Sequence, residues 1–460
     1  MLLASCYFYM AFIPIYIIIL AATIIVDYFA GLLIESTQGS RRKFFLIISI
    51  ISNVGFLAFF KYFNFFTTNL NELANFLHWN YSLPILAIVL PVGLSFHTFQ
   101  AMSYTIEVYR GNQKAERHLG IYALYVMFYP QLVAGPIERP QNLIHQFYEK
   151  HYFDCQRVIA GLKLMLWGLF KKVVIADRAS SLVDIVYNNP SQFTGLPLII
   201  ATVLFAFQIY CDFSGYSDIA IGSAEVMGFR LMKNFNRPYA AISIPDFWKR
   251  WHISLSTWLK DYVYIPLGGN RVSRYHHYFN IFFVFLVSGI WHGANWTFVF
   301  WGILHGFYQI FSIITRKTRE TVSSCVGINT LPILRQIWQT IITFGLVCFA
   351  WIFFRAANLA EAFFIVRHLF DGWVEWLYNY SNLKFLDHNV FLDQGRFRLL
   401  LIIVAIVFME LVQMFQNKNN LLFAKLFKNV YLRWFFYIIL VWCIIVFGKF
   451  GERQFIYFVF

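Results

Sequence analysis

Residues 277–315 read HYFNIFFVFLVSGIWHGANWTFVFWGILHGFYQIFSIIT. Two apolar runs, 277–296 and 297–315, follow one another directly. Each run approaches the roughly 20 residues that a helix needs to cross a hydrocarbon core. The stretch therefore predicts a membrane hairpin. Within it His292 sits between two glycines, in Ser288-Gly289-Ile290-Trp291-His292-Gly293. A polar side chain at membrane depth is costly, and small residues let helices approach closely or break.

The rest of the chain fits this reading. Of 460 residues, 59% are hydrophobic, 13% charged and 21% aromatic, with 54 Phe, 27 Tyr and 14 Trp. Mean hydropathy is +0.58. Soluble domains sit near about 45–50% apolar and about 25% charged. Further apolar segments lie at 7–34, 44–62, 83–108, 119–133, 158–175, 195–212, 336–354, 399–415 and 433–449. Some carry Pro14, Asp27, Pro84, Pro91 or His97. The expectation is an all-α polytopic membrane protein with about nine to eleven transmembrane or re-entrant helices. It forms one membrane domain over 1–460, with core motifs at 129–315 and C-terminal helices at 336–460.

Net charge is +14. The cations cluster in short segments: Arg41, Arg42 and Lys43; Arg271 and Arg274; Arg316, Lys317 and Arg319; Lys418, Lys425 and Lys428. That is the signature of cytoplasmic loops, not of nucleic-acid binding. With 41–43 inside, 63–82 becomes an external loop without Lys or Arg, and 355–398 lies outside. The six cysteines show no metal-ligand spacing, so they read as small core residues and no metal is expected. No cleavable signal peptide is evident, and the apolar N-terminus reads as a retained helix. No internal repeat is visible, which counts against a transporter built from two related halves.

Three stretches concentrate polar groups. The first is Gln208-Ile209-Tyr210-Cys211-Asp212-Phe213-Ser214-Gly215-Tyr216-Ser217-Asp218. It forms either the polar wall of an internal cavity, or a buried hydrogen-bond network or helix end. The second is Asp246 to Tyr262. On one helix, Trp248, Trp251, Leu255, Trp258 and Leu259 would share a face, with Lys249, Arg250 and Lys260 off it. That predicts a cytoplasmic interfacial helix, which either anchors alone or also offers cations to a phosphate-bearing donor. Pro266-Leu267-Gly268-Gly269-Asn270-Arg271 then reads as a tight turn and lacks the pattern of a phosphate loop. The third is Gly289 to Trp296, followed by Trp301-Gly302-Ile303-Leu304-His305-Gly306.

His292 is either a helix–helix hydrogen-bond donor or a general base. Imidazole has an ordinary pKa near 6.5, so a neutral buried His can take a hydroxyl proton. That chemistry suits attack of a hydroxyl on a thioester. No GxSxG elbow is present and no Cys adjoins a His, which favours direct transfer over a covalent enzyme intermediate.

These motifs resemble the membrane-bound O-acyltransferase family, in the bacterial branch that includes the membrane subunit for alginate O-acetylation. The matching segments are Tyr129-Pro130-Gln131-Leu132-Val133-Ala134-Gly135-Pro136-Ile137, 208–218, Asn236-Arg237-Pro238-Tyr239, 246–271, 289–292 and Phe455-Ile456-Tyr457-Phe458. They run in family order over nearly the whole chain.

The resemblance implies helices around a central funnel or tunnel joining both membrane faces, with His292 catalytic. Supporting or tunnel-lining positions are then His252, Asp261, Gln208, Tyr210, Asp212, Ser214, Asp218, Trp291, Asn295 and His305, and donor-side positions Lys249, Arg250 and Trp251. It implies no bound cofactor, with acetyl-CoA or another acyl thioester as co-substrate. The acceptor is a cell-surface polysaccharide, often reached through a periplasmic hydrolase-like partner. The setting is the lipid of a bacterial inner membrane. Similar proteins usually carry a further apolar segment upstream, so Met1 is expected to follow a missing one. The alternatives are D-alanyl transfer to teichoic acid, from which the Pro266–Gly269 turn points away, and a transporter or flippase of a lipid-linked or acyl species.

Overall fold

The computed structural model describes residues 1–379, 381–415, 429–451 and 455. The basic residues Lys418, Lys425 and Lys428, and the motif residues Ile456, Tyr457 and Phe458, lie outside these. Among the described residues every regular element is helical. Seven helices among the described residues are long and apolar enough to cross a membrane. This is the outcome that hydropathy demands, because a helix satisfies its own backbone polar groups where no water can.

The chain groups into two compact units, Met1–Leu164 with Ile219–Lys233, and Met165–Asp218 with Asn234–Val459. In the first, α1 (Leu2–Met10) is separated from α2 (Ile17–Ser36) by a turn at Pro14. A continuous helical run, α3, spans Gly39–Phe76. The external loop expected from residue 63 is therefore helical as far as Phe76. Proline and glycine break the next apolar segment, and α4 begins only at Leu94 and ends at Arg110. Next comes the short α5, Leu119–Met127.

Asp27, flagged as an acid inside an apolar segment, is fully buried. It accepts hydrogen bonds from Ser49 Oγ at 2.6 Å and Asn53 Nδ2 at 2.7 Å, and Ser49 also meets Thr105 Oγ1 at 2.9 Å. The carboxylate thus ties α2, α3 and α4 together by local satisfaction, as a buried charge requires.

The second unit contains the hairpin. Helix α6 (Cys155–Leu169) runs on through a π-helical turn, Phe170–Ala176, into α7 (Asp177–Tyr187). Helix α8, Leu196–Met227, is 32 residues long and carries the whole 208–218 stretch in its interior, not at an end. The Asp246–Tyr262 stretch is not one helix. It forms α9 (Ile244–Arg250) and α10 (Ile253–Leu259), with His252 between them in the left-handed region at φ +44°.

The predicted interfacial stripe is also buried. Trp248, Trp251, Leu255, Trp258 and Leu259 all lie inside the protein. The break turns these rings inward, so the single amphipathic surface helix expected from spacing is replaced by a packed corner.

The predicted hairpin is α11 (Arg274–His292) and α12 (Trp296–Ile314). Glycines bring the two backbones together. A Cβ on Gly289 would lie 2.5 Å from the Phe298 carbonyl oxygen, and one on Gly302 would overlap the Phe285 carbonyl. Asn280 of α11 donates to Leu267 O and Gly269 O, both at 3.0 Å, and so clamps the Pro266–Arg271 turn. Helices α13 (Pro332–Arg355), α14 (Arg396–Phe415) and α15 (Val430–Phe447) complete the second unit.

Candidate active site

His292 ends α11, and the chain turns away through Gly293. A Cβ on Gly293 would overlap the Phe298 ring, so only glycine lets the turn follow the histidine this closely. The imidazole is buried and boxed by Trp291 and Trp301, each with its ring centroid 4.8 Å away, and by Phe354 of α13 at 5.5 Å. Its Nδ1 lies 2.6 Å from the Ser288 carbonyl oxygen. A carbonyl can only accept, so Nδ1 carries the hydrogen and Nε2 keeps its lone pair. The helix itself has set the tautomer of this imidazole.

Two other histidines lie close enough to interact with His292 electrostatically, His252 and His305. His252 is completely buried. Its Nδ1 meets Asn234 Oδ1 at 3.2 Å. That same oxygen accepts from Ser254 N at 3.2 Å and Ser254 Oγ at 2.9 Å, while Asn234 Nδ2 donates to Ser217 Oγ at 3.2 Å. The Ser254 backbone N–H identifies Oδ1 as the acceptor, so His252 donates from Nδ1. Burial, and secondarily the neighbouring His292, push the His252 pKa well below its ordinary value and keep the ring neutral. His305 Nδ1 accepts from Trp248 Nε1 at 3.2 Å. Its proton therefore sits on Nε2.

Around this centre the aromatic packing is continuous. Trp301 stacks on Trp351 at 5.9 Å and meets His305 at 5.0 Å. Trp291 lies 6.1 Å from His252. Trp251 packs against Phe247, Phe235 and Trp351, and so is a core residue and not a donor-side surface group. Of its predicted neighbours, Arg250 is ion-paired with Asp246 at 2.9 Å and Lys249 is exposed.

The 208–218 stretch divides differently from either of its readings alone. Lys171 on the π-helical turn pairs with Asp218 at 2.7 Å and donates to Ser214 Oγ at 2.9 Å. Lys172 pairs with both Asp212 and Asp177. Asp212, Ser214 and Asp218 are thus tied to Lys171 and Lys172 in a largely buried network, with Asp218 at its half-buried edge. Tyr210 donates to Gln413 Oε1 of α14 at 3.0 Å. Gln208 is partly buried, with its side-chain oxygen lacking a partner among the described residues.

Asn295 caps α12, accepting from Thr297 N at 3.0 Å, and donates to Ala357 O at 2.8 Å. Asp261 lies half-buried in the π-helical turn after α10. The structure thus gathers His252, Trp291, His292 and His305, and places Asn295, Arg250 and Trp251 in structural roles. Sequence reading missed Asn234, Lys171 and Lys172. Asn234 precedes the Asn236-Arg237-Pro238-Tyr239 motif by two residues, which was the available signal.

A cavity of about 560 Å³ lies elsewhere, in the first unit, among His145, Lys150, His151, Arg157 and Arg230. None of the sequence-derived site residues lines it. Among the described residues no cluster of His, Cys, Asp or Glu could hold a metal ion.

Residues 118–354, which contain all three histidines, match the membrane-bound O-acyltransferase family. The chain belongs to the membrane-bound O-acyltransferase family. It is 36% identical over 450 residues to the peptidoglycan O-acetyltransferase of Helicobacter pylori, covering 89% of this chain and 82% of that protein. It is 38% identical over 376 residues to the probable alginate O-acetylase AlgI of Pseudomonas aeruginosa, covering 81% and 69%. A teichoic acid D-alanyltransferase of Streptococcus thermophilus is more distant, at 26% over 261 residues, covering 52% and 62%. The chain is a multi-pass membrane acyltransferase.

Proposed function

We propose that this acyltransferase moves an acetyl group from a cytoplasmic thioester, acetyl-CoA or a related carrier, to a hydroxyl on the far side of a bacterial inner membrane. The acceptor is a cell-surface polysaccharide or a periplasmic hydrolase-like relay protein that serves it. The observation that carries the reading is the Nδ1–H bond of His292 to Ser288, which leaves Nε2 as a base inside an apolar box.

The hydroxyl oxygen attacks the thioester carbonyl carbon while Nε2 takes its proton. The carbonyl π pair moves to oxygen. Collapse of that tetrahedral species breaks the C–S bond, and the imidazolium returns the proton to the departing thiolate. His252, fixed by Asn234, is a neutral neighbour of this base. Acetyl transfer is preferred to D-alanyl transfer because the O-acetylating relatives match at higher identity and over more of the chain than the D-alanyl relative.

The test is His292→Ala, purified from membranes in wild-type yield. Loss of acetyl transfer from labelled acetyl-CoA to a glycan acceptor is the expected result. Full activity of that variant overturns the assignment of the base. Mass spectrometry of surface polysaccharides with and without the gene identifies the acceptor.

A further inference from the structure

The inner face of α12 carries an anomaly. Thr297, Trp301 and His305 recur every four residues on it and are all completely buried. Thr297 Oγ1, Trp301 Nε1 and His305 Nε2 each lack a hydrogen-bond partner among the described residues. Ser288 Oγ, one turn before His292 on α11, shares that condition. A buried polar atom left unpaired costs about 1–3 kcal/mol, so a row of them on one face asks for a ligand that pairs them.

The chemistry of two of these atoms is fixed. An indole Nε1 only donates. His305 Nε2 carries the ring proton, because its Nδ1 is occupied as the acceptor from Trp248. Both are therefore N–H donors waiting for an acceptor. Trp301 packs directly on the His292 ring at 4.8 Å and on the His305 ring at 5.0 Å.

We propose that Trp301 Nε1–H and His305 Nε2–H donate to the oxygen that becomes negatively charged when a hydroxyl attacks the thioester beside His292. This rests on the acyl-transfer reading and supplies a part that reading needs. The base removes a proton but leaves the new charge on the former carbonyl oxygen. Fixed donors in an apolar surrounding stabilise that charge without reorganising, and more strongly than water would. The same donors release the oxygen when the C=O bond re-forms and the thiolate leaves. Thr297 and Ser288 complete the polar lining through which the acyl group is oriented.

Steady-state turnover of acetyl-CoA by the purified full-length protein tests this, in Trp301→Phe, His305→Leu and His305→Gln. Phe keeps the ring packing and removes the N–H. Leu removes the His305 donor, whereas the Gln amide places N–H bonds near the original Nε2. Removing one such donor costs on the order of 10²-fold in kcat. The expected result is that loss in Trp301→Phe and His305→Leu, with KM for acetyl-CoA little changed, and recovery of most of it in His305→Gln.

A purely structural role would lower yield or Tm and leave kcat of the folded fraction intact. Unchanged kcat in folded Trp301→Phe and His305→Leu overturns the donor assignment while leaving His292 as base. Equal losses in His305→Leu and His305→Gln overturn the part assigned to His305. If Trp301→Phe fails to fold, the His305 pair decides. Absence of turnover in the wild type, with His292→Ala indistinguishable from it, sinks the acyl-transfer reading itself.

Discussion

At the scale of single residues, the hydrogen bonds fix which nitrogen of each imidazole holds its proton. His292 receives its tautomer from a backbone carbonyl of its own helix, and His252 receives its from Asn234. Asn234→Ala removes the acceptor shared by His252, Ser254 N and Ser254 Oγ. It leaves several buried donors unpaired, at about 1–3 kcal/mol each. A drop in Tm together with reduced turnover is expected, and Asn234→Asp, which keeps the acceptor oxygen, retains more of both. Glu138 offers a separate titration. Burial raises its pKa from 4.5 to about 7, against hydrogen bonding from Met232 N that lowers it. The folded state therefore holds this proton more tightly than the unfolded chain. Its contribution to stability is fully present below about pH 4.5 and is lost as pH rises through about 7. Glu138→Gln is expected to raise Tm at pH 8 relative to wild type and to change it little at pH 4.5, as differential scanning fluorimetry in detergent would show.

At the scale of elements, the α11–α12 hairpin depends on backbone contact. Gly302→Leu forces a side chain into the Phe285 carbonyl. Overpacking of this kind costs about 1–3 kcal/mol and displaces His292 from its partners. Turnover should fall with Tm in that variant. Gly306→Ala is the control, since its added Cβ would sit 3.4 Å from Phe282 Cα, at ordinary contact distance. The corner between α9 and α10 is the opposite case, where a local signal misled. The spacing of Trp248, Trp251, Leu255, Trp258 and Leu259 has helical periodicity across the break, because both flanking segments are helical. Nothing local announces that His252 adopts φ +44°. Asn234 holds it there, eighteen residues away.

At the scale of the whole molecule, stability rests on buried ions as well as apolar area. Lys172 faces both Asp212 and Asp177, and Lys171 faces Asp218. Lys172→Met strands two carboxylates away from water. Removing one partner from a buried ionic cluster costs about 3–5 kcal/mol, so the folded yield from membranes should collapse. The triple variant that also replaces Asp212 and Asp177 with Asn should recover part of it; no recovery would show that the ions do not act as one network. Sequence alone determined that the chain is helical and membrane-embedded, since hydropathy and helix length are local properties of a strand of residues. It also placed His292 between two glycines in an apolar hairpin, and motif order pointed to the family. The tertiary structure decided what each polar residue does. Asp212 and Asp218 are committed to lysines that no sequence pattern links to them, Trp251 to the core and Asn295 to a helix cap. His252 and His305 join His292 only when α9, α10, α11 and α12 pack together. Such pairings depend on distances between segments far apart in the chain, and a one-dimensional pattern does not contain them.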